Sequence, residues 1–342
     1  MFAFVGILAA IGVASLHAGP PPVTQGLKAH YDANDLNNGG NPAQGAAITI
    51  WRDISGNAID ATTGGLTAPA ISLISPIYHT NVLNGRAGVN FSGSLGDGLA
   101  SAFSGQLDFT NATILVVANR SDSSTHVAVS GPTVQQEFIV ANHALYHHSS
   151  SFHWSQITHS SPPLPAAFYI HAGLFGKQHD QFVNYINGVP STNILQYGQE
   201  PVADYIPTSR QVVLGWRNSG ANGVNPYSSE NFGGILCEVL IYDRQLSAAE
   251  VDAMNNYLGG KYGISVTVLS PPLKARLASP GLVELSWEAA AGRLYQIQST
   301  TNLAPANWLD VGVPIPGTGV QAITNLPTTI DPQKFYRLKV TN

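Results

Sequence analysis

The 342 residues carry a formal net charge of −5, and only 10% are charged, against about a quarter in an average soluble protein. That balance excludes the basic footprint of a nucleic-acid binder and disfavours acidic polysaccharide as a ligand. With 34 glycines, 22 prolines and one cysteine, the chain reads as a turn-rich, extracellular all-β protein without an intrachain disulfide, long enough for two domains.

Residues 2–16 form an apolar run that ends at Gly19-Pro20-Pro21-Pro22. It is shorter than the roughly 20 residues of a spanning helix and predicts a secretory signal peptide over 1–18, cleaved near Ala18. Two features depart from the usual pattern: Leu16 stands where a small residue is preferred, and no Lys or Arg precedes the run. No later segment is apolar enough to cross a bilayer, so the mature chain is expected to have no membrane span and to be secreted or held in the cell envelope.

Residues 26–33 predict a first strand, followed by a Gly- and Asn-rich loop to Gly45 and a strand at Ile48–Trp51. Arg52 to Asn57 is a turn cluster in which Asp and Asn bond nearby backbone and Gly takes a positive φ. The run Thr113–Ala118 has the unbroken apolarity of a strand covered on both faces. Asn187-Gly188, between Phe182–Ile186 and Val189, is the strongest short hairpin signal. Gln211–Trp216 predicts a further core strand.

Ile235–Tyr242 reads as a buried strand, with Cys237 inside it as a small hydrophobe rather than a reactive thiol. A helix is predicted over 248–258: Ser247 and Glu250 form a capping box, Val251, Met254 and Leu258 follow at helical spacing, and Gly259-Gly260 supply the stop. Ser270-Pro271-Pro272 marks a linker. Beyond it, residues 283–287, 295–299 and 335–340 alternate with period 2, as short strands do.

Three strings together resemble bacterial concanavalin A-like domains of the laminin G type. They are Trp51-Arg52-Asp53-Ile54-Ser55-Gly56-Asn57 followed by Ala61-Thr62, the stretch Asn84 to Gly93, and the closing run Glu238 to Gly263. The resemblance implies a jelly-roll β-sandwich over 27–264 with one short helix at its end. Residues 274–342, after a linker at 265–273, resemble a small fibronectin type III-like β-sandwich through Val283-Glu284-Leu285-Ser286-Trp287 and Tyr295-Gln296-Ile297-Gln298-Ser299. At about 70 residues this module is short of the usual hundred, so a strand or two is expected to be missing.

Candidate sites follow from side-chain chemistry. Tyr146, His148, Phe152 and Trp154 lie in the segment richest in aromatic and imidazole groups, and with Trp216 and Tyr227 they could stack on a sugar ring. Seven of the eleven histidines fall between His143 and His179. Their spacing fits no tight metal motif, and the segment has no Asp or Glu to orient the rings, so no tight metal site is expected there. Asp53, Asn57 and Asp60 could supply oxygens to calcium, as the resemblance implies for some relatives, or could simply bond the turn's backbone.

Glucanases of this fold place carboxylates on one strand as E-x-D-x-x-E. No such string occurs, and Glu238 shares its strand face with Leu240 and Tyr242. A G-x-S-x-G nucleophile elbow is also absent from the sequence. The expectation is a non-catalytic, lectin-like protein that binds glycan or another cell-surface partner and needs no cofactor. A structural envelope or adhesion component, and a glycoside hydrolase or lyase with an unconventional site, are the alternatives.

Overall fold

A computed structural model describes residues 19–63, 74–94, 96–102, 107, 111–121, 127–130, 138–141, 144–150, 153–158, 166–176, 182–191, 194–197, 211–215, 231–267, 271–289, 293–327 and 333–341. The signal segment 1–18, Phe152, Trp216 and Tyr227 lie outside these residues.

Among the described residues the architecture is all-β, with one α-helix and a single 3-10 turn at Ala33–Asp35. In chain order the strands are β1 (Leu27–Asp32), β2 (Ile50–Trp51), β3 (Ala61–Thr62), β4 (Ile77–Leu83), β5 (Arg86–Ser92), β6 (Leu99–Ser101), β7 (Ala112–Arg120), β8 (Val127–Ser130) and β9 (Phe138–Ala141). They continue as β10 (Ala144–Ser150), β11 (His153–Thr158), β12 (Tyr169–Phe175), β13 (Val183–Ile186), β14 (Val189–Ser191), β15 (Ile194–Tyr197), β16 (Val213–Leu214) and β17 (Gly233–Tyr242), before helix α1 (Ala248–Tyr262). Six more follow: β18 (Lys274–Ser279), β19 (Leu282–Ala289), β20 (Leu294–Thr300), β21 (Leu309–Pro316), β22 (Val320–Pro327) and β23 (Phe335–Thr341).

Two antiparallel sheets face each other. The first runs β14-β13-β12-β7-β17-β5-β4, with β1 also on β17, and the second runs β15-β11-β10-β9-β8-β16-β6-β3-β2. Between them lies one apolar core, drawn from Tyr31, Val89, Ile114, Val116, Val239 and Ile241 of the first sheet and Trp51, Leu99, Val129 and Leu214 of the second. The other face of the first sheet is covered by α1: Leu115, Val117, Ile170, Cys237 and Leu240 pack with Val251, Met254, Leu258 and Tyr262. This explains the unbroken apolarity of β7, whose alternate residues serve the two cores. Asn187 and Gly188 turn β13 into β14 at φ +50° and +80°. No side chain fits at Gly188, since a Cβ there would stand 2.2 Å from the Thr267 carbonyl.

The last six strands make two three-stranded sheets, β18-β19-β22 and β21-β20-β23. They enclose their own cluster around Leu285, Trp287, Tyr295, Ile297 and Leu338.

Helix α1 starts where its capping box predicts. Ser247 Oγ accepts the Glu250 N–H, and Glu250 Oε2 accepts the Ser247 N–H at 2.8 Å. Its end differs from the expectation, because the helix runs through Gly259 and Gly260 to Tyr262 and stops at Gly263, φ +68°. Gly259 serves close packing instead: a Cβ there would lie 2.8 Å from the Ile264 carbonyl. Replacing Ser247 by alanine should lower unfolding free energy by about 0.5–2 kcal/mol in equilibrium denaturation, with the slope unchanged.

Candidate functional site

Two places concentrate chemistry, one buried in the first sheet and one on the second. The buried one is organised by β17, which changes partners halfway along. Gly233–Leu236 pair with β5 and Glu238–Tyr242 pair with β1, with β7 on the other side and a register shift between Leu236 and Glu238. Such a bulge re-aims side chains. Here Cys237 and Glu238 both turn toward the helix side, where Cys237 packs in the helix-side core and Glu238 meets Tyr262.

Glu238 is fully buried and fully bonded. Its Oε1 accepts from His30 Nε2 at 2.8 Å, and its Oε2 accepts from Lys261 Nζ at 2.7 Å and from the Tyr262 hydroxyl at 2.9 Å. Lys261 also donates to Asp32 Oδ2 at 2.6 Å, while Asp32 Oδ1 holds the following turn through the Asn34 N–H. Burial alone would raise the Glu238 carboxyl, but the Lys261 charge and the His30 bond outweigh it and hold it at about 2. Glu238 is therefore ionised, and His30 Nε2 must carry the proton it donates. Burial opposes the Lys261 charge, yet Glu238 and Asp32 hold its pKa above the usual lysine value.

His30, Asp32 and Glu238 bring three ligand atoms within 4.8 Å of one another, as a metal centre would. The Lys261 ammonium already bridges the two carboxylates, so a cation is supplied by the chain itself. The cluster is a lock between α1 and the sheet.

The candidate calcium ligands sit in the turn after β2. Asp53 Oδ1 accepts the N–H groups of His30 and Ser55, and Oδ2 accepts the Ser55 hydroxyl and the Ile59 N–H. Asp60 accepts the Asp53 N–H and the Arg52 guanidinium, and Asn57 donates to the carbonyls of Leu27 and Lys28. These groups tie the turn to β1, and a calcium ion would compete with those donors.

The second place is the β10-β11-β15 end of the second sheet. Backbone register pairs His148 with Trp154 and Trp154 with Tyr197, and in the next row Ile139 with Tyr146, Tyr146 with Gln156 and Gln156 with Leu195. Alternation puts both rows on one face. The other face is reached through Leu145, Ile157 and Val140, and Val140 pairs with Val129, which is buried in the inter-sheet core. Tyr146, His148 and Trp154 therefore occupy strand positions of one parity, opposite to that of Val140 and its core partner Val129. Closer to β6 the face of that parity is covered, since Val213 and Ala100 are fully buried.

His143, His159 and His179 lie outside the described residues. His171 lies on β12 of the first sheet, bonded to Asn184 Oδ1 at 2.7 Å, and His147 sits on the core-side parity of β10. Sequence reading did not find Tyr197 or Gln156, whose place on this face depends on cross-strand register. Nor did it find the Glu238 cluster, in which a single bond, Lys261 to Asp32, joins residues 229 positions apart.

A cleft of about 270 Å³ separates the start of α1 from the C-terminal sheets, lined by Val23, Thr24, Ala249, Ala253, Thr318 and Gly319. Among the described residues, no helix is long and apolar enough to cross a membrane.

No family model and no curated protein matches this chain. Solved structures do resemble it at low identity. Domain 4 of a GH43 extracellular arabinanase from Geobacillus stearothermophilus, in complex with arabinotriose, is 17% identical with a TM-score of 0.47, covering 67% of this chain and 98% of that one. A Trypanosoma rangeli sialidase in complex with sialic acid is 13% identical with a TM-score of 0.39, covering 72% of this chain and 35% of the sialidase. A heptameric SAP-like pentraxin from Limulus polyphemus is 15% identical with a TM-score of 0.36, covering 48% and 80%.

Lys261→Met should cost about 3–5 kcal/mol, because it leaves two buried carboxylates without their cation. Glu238 also predicts an acid dependence. Its carboxyl moves from 4.5 to about 2 on folding, so its contribution is complete above pH 4.5 and is lost as the pH falls toward 2. Asp252 acts oppositely, burial raising its carboxyl from 3.8 to about 6, so its share is lost as pH rises through that range. In denaturation series at several pH values, Glu238→Gln should be less stable than wild type at pH 7, with the gap narrowing below pH 4.5.

Proposed function

We propose that the protein is a secreted, non-catalytic glycan-binding protein that uses the outer face of its second sheet. The observation that supports this reading is the backbone register, which aligns the positions of Tyr146, His148 and Trp154 with one parity on neighbouring strands. Ring-bearing residues on neighbouring strands suit the apolar faces of sugar rings, and imidazole, phenol and amide groups suit the hydroxyls around them. On the first sheet, α1 covers the outer face over β7, β12 and β17.

Residues 27–264 would then be the laminin G-like binding unit, and residues 274–342 a fibronectin-like spacer or attachment module. The β18-β19-β22 and β21-β20-β23 sheets suit that assignment. No cofactor is required by this reading. Hydrolysis would need an acid and a base or nucleophile a few ångströms apart, and the five strands β8 to β11 and β15 contain no carboxylate.

Weak binding is expected, with dissociation constants from about micromolar to millimolar, or roughly −8 to −4 kcal/mol. A glycan-array screen followed by calorimetry on the best ligand should show Trp154→Ala losing most of the affinity while keeping the wild-type thermal midpoint. Unchanged affinity in Trp154→Ala would place binding elsewhere. Release of reducing sugar, abolished by one Asp or Glu substitution in a folded variant, would make the protein an enzyme.

A further inference from the structure

Resting on the reading of that face as a glycan site, we infer that its ligand is an uncharged polysaccharide lying across the strands, and that Tyr197 is a further binding residue. The first ground is charge. From Phe138 to Gly176 the chain has no Asp, Glu, Lys or Arg, and neither do β8 and β15, so five adjacent strands of the sheet are without a charged side chain. A carboxylated or sulfated sugar laid there would give up water without a cationic partner on those strands, and an amino sugar would do so without a carboxylate on them. The net charge of −5 adds long-range repulsion against polyanions. Hydroxyl groups carry no such penalty, since neutral donors and acceptors satisfy them.

The second ground is direction. His148, Trp154 and Tyr197 are direct cross-strand partners on β10, β11 and β15. Successive strands lie about 4.8 Å apart, so the three positions form a row about 10 Å long, perpendicular to the strands. The parallel row of Tyr146 and Gln156 flanks it at the i−2 and i+2 positions. A chain of sugars following the first row crosses a ring-bearing position at each strand, with the second row one pleat repeat away. A chain running along a single strand would meet only one ring-bearing position on β11 or β15.

Matched polymers that differ in charge test this, with calorimetry or affinity electrophoresis as readout. The probes are hydroxyethylcellulose against carboxymethylcellulose, galactan against polygalacturonate, and dextran against dextran sulfate. At least one neutral polymer should bind, its charged counterpart about tenfold more weakly or worse, and raising salt from 0.05 to about 0.5 M should leave the neutral affinity within about twofold. Tyr197→Ala should weaken neutral binding by about two- to twelvefold, the range of one aromatic contact, with Tyr197→Phe close to wild type and both thermal midpoints retained. A charged polymer that binds more tightly than its neutral partner, and still depends on Trp154, would overturn the ligand class and leave the glycan site standing. Binding by none of the six polymers would overturn both. Full affinity in a folded Tyr197→Ala would overturn the cross-strand direction.

Discussion

The pairing of Glu238 with Lys261 is the contact on which the order of layers depends. A carboxylate in the middle of the first sheet, beneath a helix, is tolerable only because an ammonium, an imidazole and a phenol converge on it. Apolar packing between α1 and the sheet is non-directional and would accept several helix registers. The ion pair removes that freedom by tying the last turn of α1 to one residue of β17, and Asp32 extends the tie to β1. The bulge before Glu238 is what lets β17 present Cys237 to the helix-side core and, at the next position, its carboxylate to Lys261.

That lock divides the labour between the sheets. The outer face of the first sheet belongs to the helix, through Leu115, Val117, Ile170 and Leu240. The inner faces of both sheets are used up by their common core. The β10-β11-β15 end of the second sheet has strands that are free of charge and carry aromatic and imidazole positions in cross-strand register. In the proposed reading stability and recognition are thereby separated: the buried charges hold the scaffold, and the uncharged strands meet the ligand. The Arg244–Glu250 pair, 2.6 Å long beside the cap, reinforces the helix at its other end.

Local signals in the sequence translated well. The capping box at Ser247 and Glu250 and the Asn187-Gly188 turn each depend on residues within a few positions, and each forms as its chemistry dictates. The Asp53 turn is local in part: its carboxylate takes three donors from Ser55 and Ile59 and a fourth from His30, 23 positions earlier. The helix terminus was less legible, because a Gly-Gly pair looks like a stop whether glycine is needed for positive φ or for close approach. At Gly259 it is close approach, and the left-handed residue is Gly263. Glu238 could be assigned to the face of Leu240 and Tyr242, but its partners are supplied by β1 and by the last turn of α1. A strand-by-strand pattern does not contain them. Tyr197 shows the same limit: its neighbour Trp154 is fixed by strand order, since β15 joins the sheet beside β11 after β12, β13 and β14 have crossed to the first sheet.

The division between a locked first sheet and a ligand-bearing second sheet is tested most directly by amide hydrogen exchange on the intact protein, with and without a saturating neutral polysaccharide. Protection is expected to rise in β10, β11 and β15 while α1 and β17 exchange as slowly as before. Protection confined to α1, to the cleft it forms with residues 318–319, or to the C-terminal sheets would contradict that division.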